Sequence, residues 1–231
     1  EKEQQPLGSS WNGRQCSGGR QRNSGRIRLV IMSILTQKDS DQLKEFIESH
    51  KFFLIIGHKE PDGDCIASCL GLAAIIKHFN KAYQLISAGP FKRNEIIEYQ
   101  SLFTDKIDFL DNTDRRQTGL IITDCSEISR LGDLDFDFKN LDTFIIDHHK
   151  TSDIPSNSKG YINSPAPAAA YIIQLFYESL IGPLPEELAQ IIFFGICTDT
   201  GFFRFLNSSE TSADVFNACA RLTSYGADPR K

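Results

Sequence analysis

Four clusters of carboxylate and imidazole residues punctuate this chain: Gly57-His58-Lys59-Glu60-Pro61-Asp62-Gly63-Asp64, Thr123-Asp124-Cys125, Asp147-His148-His149 and Thr198-Asp199-Thr200-Gly201. Imidazole nitrogen and carboxylate oxygen together suit Mn²⁺ or another first-row divalent ion, and several carboxylates also accept Mg²⁺. Two such ions, about 3.5–4 Å apart, can clamp a phosphate and share an attacking water. A bridging carboxylate is the natural way to hold them close while reducing their repulsion. Each cluster also has a plainer reading, since Pro61 and Gly63 suit an ordinary turn and polar loops keep a surface solvated. No Ser-His-Asp grouping in the chain has an equally good arrangement.

The elements that must position these residues follow an α/β pattern. The run Phe52-Phe53-Leu54-Ile55-Ile56 has no polar alternation, which predicts a strand buried on both faces of a parallel sheet. The first cluster follows it directly and leads into a helix over Asp64–Phe79. Further strands are expected at Ala82–Ser87, more weakly near Ile107, and at Leu120–Thr123 and Thr143–Ile146. The second and third clusters close those last two strands. Helices are expected over Asp41–Ser49 with Ser40 as cap, Asn94–Tyr99, Ala166–Leu180, Glu186–Ile196 and Thr211–Thr223. The sum is an open, doubly wound, mostly parallel α/β sheet with helices on both faces. Ligands gather at the carboxyl ends of strands in such sheets, so three clusters share one rim. The fourth lies beyond a helix, and its approach to that rim is a matter of topology that spacing does not fix.

Composition narrows the classes. With 231 residues, 40% hydrophobic, the chain can bury one sizeable core, or one domain with a fragment of another. It has no run of eighteen apolar residues and no apolar stretch before Met32, so neither a membrane span nor a signal peptide is expected. The six cysteines read as free thiols, most of them buried, in a reducing cytosol, and a cytoplasmic location follows. The net charge of −5 combines +4 in residues 1–30 with −9 in the remainder. A broad basic surface is therefore missing and no stable duplex DNA partner is expected, although bound cations would offset the acidic groups at a phosphate site. Residues 1–31, with Arg20, Arg22, Arg26 and Arg28, read as a disordered leader or non-native extension.

Taken together, His58-x-x-x-Asp62-x-Asp64, Asp124, Asp147-His148-His149 and Asp199 resemble the DHH phosphoesterase superfamily. The segments PDGDCIAS, TDCSEISRLG, IIDHHK and GICTDTGFFRFLN are closest to its oligoribonuclease/pAp phosphatase (nanoRNase) group. The resemblance covers most of residues 40–231. It implies a metal-dependent phosphoesterase with two divalent ions, Mn²⁺ first and Mg²⁺ or Co²⁺ as alternatives. Its substrates would be short oligoribonucleotides or adenosine 3′,5′-bisphosphate. A cyclic- or linear-dinucleotide phosphodiesterase, a pyrophosphatase or polyphosphatase, and a non-catalytic nucleotide binder remain the alternatives.

The resemblance also implies residue roles. His58, Asp62 and Asp124 would hold one ion, and Asp64, Asp124, His148 and Asp199 the other, with Asp124 as the bridge. Asp147 would orient His148, and His149 would face the phosphate or protonate the leaving group. Arg130 would brace the Asp124 loop or bind substrate phosphate, and Arg204 would approach a nucleotide or sit in a surface ion pair. Phe202, Phe203 and Phe205 read as loop packing or as a base-binding wall, and Lys59, Lys92, Arg93 and Lys150 as solvated charge or as shapers of phosphate entry. The group normally carries a second, glycine-rich substrate domain; residues 32–225 match the catalytic domain alone, and 226–231 read as the start of a linker. A homodimer stays open, with no sequence feature marking an interface.

Overall fold

The apolar runs become the inner strands of one five-stranded sheet. The structure, a computed structural model, describes residues 34–107, 115–138, 140–150, 158–206 and 210–231. The strands are β1 (Phe52–Ile56), β2 (Ala82–Ile86), β3 (Thr118–Thr123), β4 (Asp142–Asp147) and β5 (Lys159–Ile162), in spatial order β2-β1-β3-β4-β5. Every neighbouring pair is parallel. β1 and β3 are buried along their whole lengths, which explains why both lack polar alternation.

Side chains alternate between faces along each strand. Phe53, Ile55, Ile121, Phe144 and Ile146 point into a core shared with five α-helices among the described residues. These are α1 (Gln37–Ser49), α2 (Gly63–His78), α3 (Ala169–Leu180), α4 (Glu186–Asp199) and α5 (Glu210–Ser224). Leu54, Ile56, Leu120, Ile122 and Ile145 face the other way, under Leu131, Leu134, Phe136 and Leu141. There the cover is a 3-10 helix, Ile128–Leu131, and the segment after it. The α/β sheet is thus flanked by helical segments on both faces, though unevenly.

Two glycines let α4 reach the sheet rim. A Cβ at Gly195 would lie 2.5 Å from the Ala67 methyl of α2 and 2.9 Å from that of Ala170 in α3. One at Gly63 would lie 2.4 Å from Thr198 Oγ1. Overpacking of this kind typically costs about 1–3 kcal/mol. Close packing of α2 on α4 therefore carries Asp199, the last residue of α4, to the strand ends.

Several boundaries differ from expectation. α1 begins at Gln37, capped by Thr36 in a reciprocal box with Asp39, whereas Ser40 is buried with its hydroxyl 2.8 Å from that of Ser179. The expected short helix is a 3-10 helix over Asn94–Leu102. The weaker strand expected near Ile107 falls partly outside the described residues; Ile107 itself packs against the second core, and Thr104 makes an isolated bridge to Ile86. β5 was not expected at all. Near the end of the described residues Ala227 is buried and the Asp228 N–H donates to Gln190 Oε1 at 2.7 Å. Five described cysteines are free and buried, as expected. The leader, residues 1–31, lies outside the described residues. Among the described residues no helix is long and apolar enough to cross a membrane.

Candidate metal centre

The strand order reverses between β1 and β3, on either side of which the chain winds in opposite directions. Open α/β sheets present their ligand crevice at this point. His58 follows β1 by two residues and Asp124 follows β3 directly. The pairing of Thr123 with Ile146 then sets Asp124 beside Asp147, the last residue of β4. Asp124 adopts φ +57°, and its N–H donates to Ile146 O at 3.0 Å. A left-handed residue is unusual here, but Asp tolerates it better than most. The turn aims a nearly fully buried carboxylate across the rim.

That carboxylate is shared. Asp124 Oδ2 lies 3.3 Å from His58 Nε2, and Asp124 Oδ1 lies 3.4 Å from His148 Nε2. On the first side Asp62 Oδ1 is 3.8 Å from His58 Nε2. On the second, Asp64 Oδ2 and Asp199 Oδ2 stand 3.7 and 3.4 Å from His148 Nε2. Donors that share one ion at about 2.0–2.2 Å are separated by roughly 3–4 Å, a spread that the contacts of each histidine match. Asp62 is not in the compact donor group around His58, which is completed by Cys65 and Asp124.

The protonation pattern fits the same reading. His58 Nδ1 is 2.8 Å from Lys59 O, and His148 Nδ1 is 3.2 Å from Ala166 O. Each contact requires a proton on Nδ1 and turns Nε2 inward, where a cation would take the place of the proton that the carboxylates otherwise hold there. His148 Nε2 is buried without a hydrogen-bond partner, facing three carboxylates. An unpaired buried nitrogen costs free energy that a cation at this point would remove. The donor set therefore fits divalent metal.

Charge is concentrated enough to shift the groups in the absence of a cation. Burial opposes a charge on His58, yet the adjacent Asp124 and Asp62 carboxylates hold it up at about 11. His148 is held up at about 9, against burial, by Asp124, Asp64 and Asp199. Burial, then Asp124, pushes the Asp64 carboxyl up, and burial, Asp124 and Asp62 push Asp199 up despite the neighbouring histidines. Asp62 moves the other way, to about 2, because His58 and the Cys65 N–H outweigh its burial.

Several ligand candidates also hold the fold. Asp62 is the N-cap of α2 through its 3.1 Å bond from the Cys65 N–H. Asp64, fully buried, accepts from the Ala169 and Ala170 N–H groups at 2.7 Å each. It thereby caps α3, whose own N-cap, Ala168, makes no side-chain bond. An anion at a helix N-terminus is favourable, but Asp199 sits at the C-terminal end of α4, where the helix dipole disfavours it. Only a cation beside it reverses that sign.

Asp147 does not orient the His148 ring as expected. Its Oδ1 accepts from the His149 ring at Nδ1, 2.8 Å away, and from the backbone N–H of both His148 and His149. Its Oδ2 accepts from Ser126 Oγ at 2.8 Å. These bonds outweigh burial and lower the Asp147 carboxyl below its usual range. The Ala166 carbonyl orients His148 instead. The His149 side chain is 40% exposed, and one of its ring nitrogens also lies in a donor group with Asp124 and His148.

The remaining candidates divide. Arg130 braces the rim through its main chain, accepting from the Lys59 N–H at 2.7 Å. Arg93 lies 3.8 Å from Asp62 Oδ2, while Lys92 is paired with Glu60 at 2.7 Å. Arg204, Lys59 and Lys150 are exposed. Phe203 packs on Phe216 at 5.2 Å, whereas Phe202 and Phe205 stand open to solvent. Cys65, taken from sequence only as a buried thiol, belongs to a donor group with His58 and Asp124.

A parallel sheet with Asp and His converging at its reversal point defines a metal-dependent hydrolase scaffold. The chain belongs to the DHH family: the model of the family's N-terminal domain matches residues 52–196. It is 31% identical over 176 residues to the bifunctional oligoribonuclease and PAP phosphatase NrnA of Thermus thermophilus, covering 74% of this chain and 49% of that protein. It is 28% identical over 203 residues to the cyclic-di-AMP phosphodiesterase PdeA of Listeria monocytogenes, covering 82% and 30%. The chain thus spans about half, or less, of these relatives' length. An exopolyphosphatase-related protein from Bacteroides fragilis shares the fold, with a TM-score of 0.70 at 18% identity over 86% of this chain and 60% of that one.

Proposed function

We propose that this chain carries the catalytic domain of a two-metal phosphoesterase acting on short oligoribonucleotides, adenosine 3′,5′-bisphosphate, or both. The observation that carries the reading is Asp124, whose two oxygens face different histidines, Oδ2 toward His58 and Oδ1 toward His148. His58, Asp62 and Asp124 would hold one ion, and Asp64, Asp124, His148 and Asp199 the other. The mixed nitrogen and oxygen donors suit Mn²⁺. Bound there, two divalent ions supply Lewis acidity toward phosphoryl oxygens and an activated water.

The chain's own residues do the rest. Asp147 and Ser126 fix the His149 ring with Nδ1 protonated, which leaves Nε2 to carry a proton to the departing oxygen. Arg93, beside Asp62, is placed to meet a phosphate entering on that side. The nucleotide preference is supported by the likeness to the Thermus protein over most of this chain.

The test is a metal-supplemented assay of short RNA, adenosine 3′,5′-bisphosphate, a linear dinucleotide and pyrophosphate. Turnover of the first two is expected. Turnover of pyrophosphate alone, or of none, would reject the substrate assignment.

A further inference from the structure

Beside the nitrogen and oxygen donors of the His58 set lies a sulfur. Cys65 Sγ, a His58 ring nitrogen and an Asp124 carboxylate oxygen all lie within 4.8 Å of one another. The thiol is 2% exposed, so no bulk water competes for it. Its place is built by two neighbours. Asp62 fixes the first turn of α2 through the Cys65 N–H. Above it, a Cβ at Gly57 would stand only 2.2 Å from Sγ, so the absence of a side chain at that position is what leaves room for the sulfur.

Sulfur changes the chemistry of one half of the centre. Thiolate favours softer ions, Zn²⁺ among the divalent ones, whereas carboxylate and water suit Mn²⁺ and Mg²⁺. Asp64, His148 and Asp199 form a donor group of nitrogen and oxygen alone. The His58 group instead combines imidazole, carboxylate and thiol, each a donor that Zn²⁺ accepts. We infer that Cys65 is a thiolate ligand at the His58 site and makes that site select a zinc-like ion, while the His148 site keeps a harder one. The inference rests on the two-metal reading above. It makes the two halves chemically unequal, so that the two ions differ when both kinds are present. On metal binding the thiol proton passes to solvent.

Cobalt(II) titration of the full chain, stripped by chelation, separates the possibilities. Expected are two bound equivalents, with a near-ultraviolet sulfur-to-cobalt charge-transfer band that saturates at one. Cys65→Ser should abolish the band, and Cys69→Ser should keep it. Zn²⁺ affinity, measured by competition, should fall by at least about tenfold in Cys65→Ser, the scale on which metal-site partners act. Mn²⁺ affinity should change less. Two bound cobalt ions without the band in the unaltered chain would overturn the sulfur ligand and leave the two-metal reading standing. Failure to bind cobalt at all would overturn both. Because the first readout needs no variant, misfolding of Cys65→Ser cannot hide the answer; Cys65→Ala, read by the same band, serves as its check.

Discussion

Asp147 holds the His149 ring, not the His148 ring, with Oδ1 2.8 Å from His149 Nδ1. The first histidine of the pair faces three carboxylates, and the second, more exposed, donates from Nδ1 to Asp147 and stands 3.8 Å from Asp124 Oδ1. Under the proposed function these adjacent residues of the same type would divide between ligand and proton carrier.

That division predicts a leaving-group effect. His149→Gln should slow hydrolysis of alkyl phosphate esters by roughly 10²–10⁴-fold, the usual weight of a general acid. An ester with a nitrophenolate leaving group, which needs no proton, should be affected much less. Metal stoichiometry should remain two. Equal losses on both esters would remove His149 from this role.

Asp124→Asn tests the bridge. Asn also tolerates the left-handed backbone, so the variant should fold, whereas most other residues at φ +57° would add strain. Removal of the shared negative charge should lower bound metal below two per chain and slow turnover at least roughly 10²-fold. Metal analysis beside circular dichroism checks this. A folded variant with both ions and near-original turnover would falsify the bridge.

Asp64 has two tasks that substitution can separate. Asp64→Ala removes both acceptors from the start of α3 and should destabilise the chain by about 1 kcal/mol, the typical worth of a cap. Asp64→Asn keeps one acceptor and deletes a buried charge. The metal-free Asn form should therefore unfold no more easily than the unaltered chain, while losing the ion at His148. Denaturant melts with and without Mn²⁺ measure both effects.

Metal removal itself should lower stability. Asp62, Asp64, Asp124 and Asp199 repel one another around two imidazoles, and binding of an ion to the folded state alone relieves this. At 100 times its dissociation constant, Mn²⁺ should add about 2.7 kcal/mol per independent site. Calorimetric scans at increasing Mn²⁺ should show a rising midpoint, and a midpoint that never moves would count against the donor sets.

The sequence reveals the rim well, because runs such as Phe52–Ile56 and Leu120–Thr123 are short, apolar but for Thr123 and rich in β-branched or aromatic residues, as buried strands are. Polar residues closing such strands fall on one edge by geometry. Asp199 was harder, since its position depends on how Gly63 and Gly195 let two helices approach, which no periodicity encodes. The capping of α3 by Asp64 spans 105 residues and had no local signal. β5 is short, holds Gly160 and is only partly covered, so it lacks the apolar run that betrayed its neighbours. Ser40 misled because Thr36 and Asp39 already form the cap, and the helix has passed its first turn there. Cys65 was read as core from its helical spacing, which says nothing of what lies beyond the strand end.

The bond from α2 to the first turn of α3 ties a candidate ligand to two amide protons. Ala169 and Ala170 donate to Asp64 only when the helices are docked, so their exchange with deuterated water reports that docking at single-residue resolution. Local openings that loosen α3 without unfolding the sheet would release Asp64 from its two donors. They would appear as faster exchange at these alanines than at the central amides of β1. A bound ion drawing on the same carboxylate would slow them, giving a record of metal arrival that depends on neither colour nor turnover.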